Sequence, residues 1–496
     1  MIGTLFSVLL SIATLTIRPL PEGTPLHIRL TCTVGSYAST PGSPVTAVLI
    51  APVKLDGETM LPAGSALSGT VKSVTRVGFG LRHETAGLDL VFSQITPPEG
   101  KTIPISARVT EVDNGRERVT RDGRIQGVRS TGSISYRVSG YIRTMLQWEF
   151  HAALADWAIR SLLMELPEPE IYYPAGVELT LALSQPLFTS AHPSPGEPDS
   201  SLLSYGERED LSDIVSRLPY RTRAPISGRP SDLTNVLVIG SHDEIVTAFD
   251  AAGWSQPTPT TLRGRISFIR AVAELRGDEA APMSLLLLDG SQPDMSWQKG
   301  LNDVAKRHHI RLWRGSDTWH GKEVWIGAAT RDVDFEYLRP GKAVSHRIAE
   351  DIDQERDKVA YDLAFTSCGS IVDWTDRLDF PRFAHNATGD PIATDGRMAV
   401  VELMGCPEPR LWNETTDSEP VPEHGGKMQR FARREILSAR NELLRTNPYW
   451  RTFEASRWIV ESIRQHKRRT TEDPEMVPSP FTVLDPPVHI AAARTP

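Results

Sequence analysis

Along residues 19–190, apolar and polar positions alternate in short runs cut by turn residues. Alternation puts successive side chains on opposite faces, so each run reads as a half-buried β-strand. Three runs share one frame: LPEGTPLHIRL from Leu20, LPAGSALSGTV from Leu61 and YPAGVELTLAL from Tyr173. Each has Pro, one residue, Gly, two residues and Leu. Proline fixes φ and glycine accepts positive φ, so P-x-G predicts a tight turn feeding a strand. Between these runs lie SPVTAVLIAPV, AGLDLVFSQI and KTIPISARVTEV. The pattern predicts an all-β barrel or sandwich. One helical stretch is inserted, IRTMLQWEFHAALADWAIRSLLMEL, stopped by Pro167, with Asp156 and Arg160 spaced as an i, i+4 ion pair.

Proline and serine concentrate in residues 191–230, which read as a linker carrying at most one short helix. From 231 to 406 strands and helices are mixed. NVLVIG is a buried strand. SHDEIVTAFDAAGW is a helix opened by a capping box, Ser241 with Glu244. TLRGRISFIRAVAEL reads as a helix and MSLLLLDGS as a strand. HHIRLWR and EVWIGAAT form a hairpin with a long polar loop. AVSHRI is a strand, DQERDKVAYDLAFTS a helix and GRMAVVELM a closing strand. The fold class is mixed: an N-terminal all-β barrel or sandwich with one inserted helix, an α+β layered domain, then a basic helical C-terminal extension.

That extension, residues 420–470, is basic. From Lys427 to Arg469 twelve Lys or Arg stand against four Glu, a net of +8. Its apolar residues fall at helical spacing and Asn447-Pro448 splits it in two. Such helices can lie on anionic membranes or partners, or simply present a solvated face. Residues 471–496 read as an extended tail. The opening run, MIGTLFSVLLSIATLTI, has no charge and the length of a secretory core. Residues 1–18 thus read as a signal peptide or as a first strand, giving a periplasmic or secreted protein in the first case and a cytoplasmic one in the second.

Charge and cysteines narrow the classes. The 496-residue chain is 40% hydrophobic and 23% charged, with net charge −8, which argues against a nucleic-acid partner. Cys32, Cys368 and Cys406 allow at most one disulfide and make no CxxC metal pair. Walker A, G-x-S-x-G, HExxH and Rossmann glycine sequences are absent.

Candidate chemistry centres on KRHHIRLWRG. On a strand, adjacent His308 and His309 point to opposite faces and cannot share one ion. His308, Ile310 and Leu312 take the core face. His309, Arg311 and Trp313 take the other, expected to be accessible, with Trp325, Gly327 and Ala329 leaving a shallow groove beside them. Arg311, Trp313 and Trp325 are then the ligand-binding candidates, suited to a phosphate or carboxylate, unless Trp–Arg stacking merely seals the face. As a catalytic set, Arg311 would hold the anion, His309 or His346 would move a proton and Asp353 would orient the histidine. Asp351 and Asp353 with His346, or Asp390 and Asp395, could ligate a divalent cation. Helix capping and turn formation account for them without one, and neither a metal nor a cofactor is expected. Cys368 in SCGS is a weak nucleophile candidate.

The segments NVLVIGSHDEIVTAFDAAGW, RHHIRLW, VWIGAATRD, SHRIAEDIDQERD and GDPIATDG together resemble the LssY-like C-terminal domain family over about residues 230–405. The resemblance implies a cell-envelope setting and no particular reaction. Members of that family are also fused to multi-span membrane portions that this chain lacks. The N-terminal region, on VTAVLIAPV and LPAGSALSGTV, is faintly similar to envelope β-barrels of the TrbI-like conjugal-transfer family. The reading is an envelope binding or scaffolding protein for an unknown envelope component or anionic small molecule. Its rivals are a hydrolase of phosphate-bearing envelope molecules and a module docking through its basic tail.

Overall fold

The structure is a computed structural model that describes residues 18–56, 58–78, 85–98, 100–113, 115–129, 168–190, 203–257, 283–300, 306–336, 345–378 and 380–406, with scattered positions between 428 and 460. The opening run, the inserted helix ended by Pro167, the TLRGRISFIRAVAEL helix and the tail lie outside the described residues, as does most of the basic extension.

Six strands close the N-terminal barrel: β1 (Pro25–Leu30), β2 (Pro44–Leu49), β3 (Ala66–Thr75), β4 (Gly87–Thr96), β5 (Ile103–Val112) and β6 (Glu178–Leu183). Each pairs antiparallel with the next, and β6 returns to β1. Closure removes the exposed edges that an open sheet would leave. The interior is filled by Leu26, Ile28, Leu49, Leu67, Phe92 and Leu179 among others, all buried.

The P-x-G repeats act as corners. Gly23, Gly64 and Gly176 all have positive φ, at 87°, 85° and 97°. Each donates its N–H to a neighbouring strand end, at Leu183, Leu49 and Leu30 respectively. A side chain at these positions would strain the backbone, which is why glycine recurs in the frame.

The second domain holds a seven-stranded sheet. Its elements are α1 (Tyr205–Arg217), β7 (Val236–Ile239), α2 (His242–Ala251), β8 (Met295–Lys299), β9 (Arg307–Trp319), β10 (Lys322–Glu336), β11 (Ser345–Ile348), α3 (Asp353–Phe365), β12 (Gly369–Asp376) and β13 (Arg397–Leu403). The order is β8-β9-β10-β7-β13-β12, with β11 pairing the far end of β10. Only β7–β13 is parallel. One face carries Ile310, Leu312, Val238 and Val401 against α2 and α3. The other carries Trp313, Val324, Ile326 and Val400 against Leu211, Ile214 and Val215 of α1. Helices thus cover both faces, giving three layers.

Several expectations are corrected here. The described part of the stretch read as a linker, from Leu203, is built into the second domain, because α1 is a full helix capped by Ser204 and Glu207 whose apolar side lies on the sheet. MSLLLLDGS is no strand. Its leucines do not alternate, Leu287 and Leu288 make only isolated bridges, and Asp289-Gly290 turn with positive φ at both residues. The strand lies just beyond, at β8. The long polar loop between the hairpin strands is itself strand: β9 and β10 run on to a tight turn at His320-Gly321, where both φ are positive. The Ser241–Glu244 capping box and the α3 helix stand where the sequence put them.

Asn235, just before β7, has zero exposure. Its amide donates to the carbonyls of Ala329 and Ile352 and accepts from the Ala329 N–H. Asn235→Ala leaves these groups unpartnered in the core. The expected loss is about 3 kcal/mol, read from the denaturant midpoint.

Candidate functional site

His309, Arg311 and Trp313 share a face of β9, as predicted, but that face is closed. All three are at most 5% exposed, because the sheet is covered on both sides. Trp325 is not with them. Across the hairpin Trp313 faces Ile326 and Arg314 faces Trp325, so Trp325 lies on the opposite face, beside Ile310 and Leu312. The shallow groove expected from Trp313, Trp325, Gly327 and Ala329 does not form.

Each of these side chains has partners inside the fold. His309 Nε2 lies 2.7 Å from Asp332 Oδ2. Arg311 donates to the Ser284 carbonyl and hydroxyl and reaches Asp232 at 3.5 Å. The Trp313 indole donates to the Ser291 carbonyl, and that of Trp325 to Gly240. Burial lowers the His309 pKa from 6.5 to about 4, against the pull of Asp332. The unfolded chain therefore takes up this proton first, and stability falls as pH drops from about 6.5 to 4, by about 3 kcal/mol in all. An NMR titration should find His309 still neutral at pH 5.5; a midpoint of 6 or above contradicts the burial.

Asp353 does not orient a histidine. As the first residue of α3 it accepts from the Thr394 hydroxyl, the Asp395 N–H and Arg356, while its own N–H donates to the Asp351 carboxylate just ahead of the helix. Burial raises the Asp353 carboxyl to about 6. Asp395 is also raised by burial, but its hydrogen bonds from Arg356 bring it down to about 2. Asp390 is held within its own loop by Asn386 and Thr388. His346 sits on β11 opposite Phe335 and its side chain lies outside the described residues. α3 packs on the face opposite His309, so the constellation of Arg311, His309 and Asp353 is not assembled. Cys368 is bonded to Cys406, so it is no nucleophile.

The densest charged cluster lies elsewhere, where the barrel meets the second domain. Arg29 of β1 and Glu178 of β6 come from the barrel. Lys299 of β8 and Lys358 and Asp362 of α3 come from the second domain. Glu178 accepts from Arg29 at 2.7 Å, Lys299 at 2.7 Å and Lys358 at 2.6 Å. Asp362 accepts from Lys299 at 3.0 Å, Lys358 at 3.2 Å and the Trp254 indole at 3.0 Å, with Arg29 at 3.4 Å. Beside it Arg331 of β10 pairs with Glu111 of β5 at 2.7 Å, and Lys306 reaches the same carboxylate at 3.3 Å. His308, predicted to face the core, does so, and its Nδ1 lies 2.6 Å from Glu355 Oε2.

Burial and charge act in opposite directions here. Burial raises Glu178, but Lys299, Lys358 and Arg29 overcome it and hold the carboxyl well below its usual range. Asp362 is lowered by the same cations. Glu355, with no cation bonded to it, is pushed well up by burial, and His308 is pushed well down. The sequence held one signal for this cluster: DQERDKVAYDLAFTS has only a short apolar side, Val359, Ala360 and Leu363, and Glu355, Arg356 and Asp362 are buried beside it. Charged side chains buried on a helix must meet charged or polar partners.

At the surface, a recess of about 500 Å³ opens at the start of α2, lined by Ser241, His242, Asp243, Asp294, Arg314, Glu323 and Trp325. Among the described residues no helix is long and apolar enough to cross a membrane.

Residues 215–398 match the family model described as LssY C-terminus. No curated protein matches the chain. Among solved structures, ComB10 of the Com type IV secretion system of Helicobacter pylori is similar at 12% identity, covering 34% of this chain and 90% of that one, with a TM-score of 0.20. At that score the likeness carries no argument about fold or role. Behind a closed six-stranded barrel, residues 215–398 of this chain are similar to the LssY C-terminus family.

Proposed function

We propose that the protein is a cell-envelope scaffold or binding protein in which the barrel and the LssY C-terminus domain act as one rigid body. The observation that carries this reading is the buried ionic joint: Glu178 of the barrel binds three cations, two of them from the other domain. A joint of that kind fixes orientation, because every displacement uncovers an unpaired buried charge. The Cys368–Cys406 disulfide supports a periplasmic or secreted location, since disulfides persist in oxidising compartments. The LssY resemblance is compatible with that setting. The ligand would be an envelope component or an anionic molecule, and the basic segment 420–470 would supply a peripheral membrane or partner contact. Hydrolysis is less well supported, because Asp353 stands apart from His309 and Arg311.

Fractionation with thiol labelling tests the location. The protein should appear in the periplasmic or secreted fraction with only Cys32 alkylated before reduction. A cytosolic protein with three free thiols would refute the assignment.

A further inference from the structure

The joint contains more hydrogen-bonding groups than the protein itself satisfies. Four buried polar atoms in and beside it have no partner: Trp297 Nε1, His308 Nε2, Arg331 Nε and Glu355 Oε1. They are neighbours by strand register. His308 lies opposite Lys299 on one side and Arg331 on the other, and Trp297 is the next residue on the same face of β8. Buried polar groups in native proteins are nearly always satisfied, so a cluster of orphans marks a place where a bound species belongs.

Charge and proton count say which species. The inner network sets three cations, Arg29, Lys299 and Lys358, against two carboxylates, Glu178 and Asp362. With His308 and Glu355 both held neutral by burial, the dyad carries two protons. One lies in their shared hydrogen bond. The other is unshared, on His308 Nε2 or on Glu355 Oε1. The four orphan atoms therefore offer three donors, the Trp297 indole, the Arg331 Nε–H and one from the dyad, and one acceptor, the atom of the dyad left unprotonated. Donors beside a positive surplus select an anion.

We propose that the joint binds a small monovalent anion, of the chloride class, held by Trp297, Arg331 and the His308–Glu355 dyad. The anion would complete the charge balance of the joint and tie its occupancy to the contact between the domains.

Crystals of the full chain grown in bromide test this by anomalous diffraction, alongside thermal melts in chloride and in gluconate at equal ionic strength. The expected result is a bromide peak within hydrogen-bond reach of Trp297 Nε1 and Arg331 Nε, and a higher Tm in chloride. Trp297→Phe keeps the ring and removes one donor, so its bromide affinity should fall about tenfold. Ordered water alone at that position, or equal Tm in the two salts, overturns the proposal. The wild-type measurements decide it even if the variant fails to fold.

Discussion

Glu178→Leu should lower the unfolding free energy by about 3–5 kcal/mol, the range for removing one partner of a buried ionic set. The leucine leaves Arg29, Lys299 and Lys358 with Asp362 as their remaining shared carboxylate, in a site where Glu178 itself is 4% exposed. The loss measures the unpaired cations rather than the net worth of the network, and a hydrophobic replacement of all five residues would cost far less. Denaturant unfolding checks the value, with a lower midpoint and an unchanged slope. A loss below about 1 kcal/mol would mean that water enters the joint and screens it.

Reduction of the Cys368–Cys406 disulfide, or the paired Cys368→Ser and Cys406→Ser variant, should cost about 4 kcal/mol. The bond closes a loop of 38 residues, and the loop-entropy relation for that length gives this figure. The bond joins the start of β12 to the chain just after β13, where the Met404 N–H also donates to the Cys368 carbonyl. β12 is an edge strand held on one side only, so the released chain should fray there first. Melts with and without reductant give the difference. Equal melting temperatures would show that the bond is absent in solution.

Much of the architecture was legible because local chemistry and tertiary structure agree. The P-x-G frames mark real corners, since glycine is required where φ is positive. Ser241 with Glu244 announces α2, and the strand reading of RHHIRLW separates His308 from His309 as pleat geometry demands. What failed was the environment of each face. Alternation says which side chains share a face, not what covers it, and α1, from a stretch rich in proline and serine, covers Trp313. The assignment of Trp325 beside Trp313 failed on register, since the two-residue turn at His320-Gly321 sets odd positions against even ones and a register shift between Arg314 and Thr318 then brings Trp313 opposite Ile326. The joint was invisible for another reason. Its members, Arg29, Glu178, Lys299, Lys358 and Asp362, are scattered over more than 300 positions, and only the i, i+4 pair Lys358–Asp362 falls within a local window.

Calorimetry of the full chain tests the rigid joint most directly. If the barrel and the second domain are one body, they melt in a single transition whose calorimetric and van't Hoff enthalpies agree, and Glu178→Leu lowers or splits that transition. Two separate transitions in the unaltered protein, neither shifted by Glu178→Leu, would contradict it.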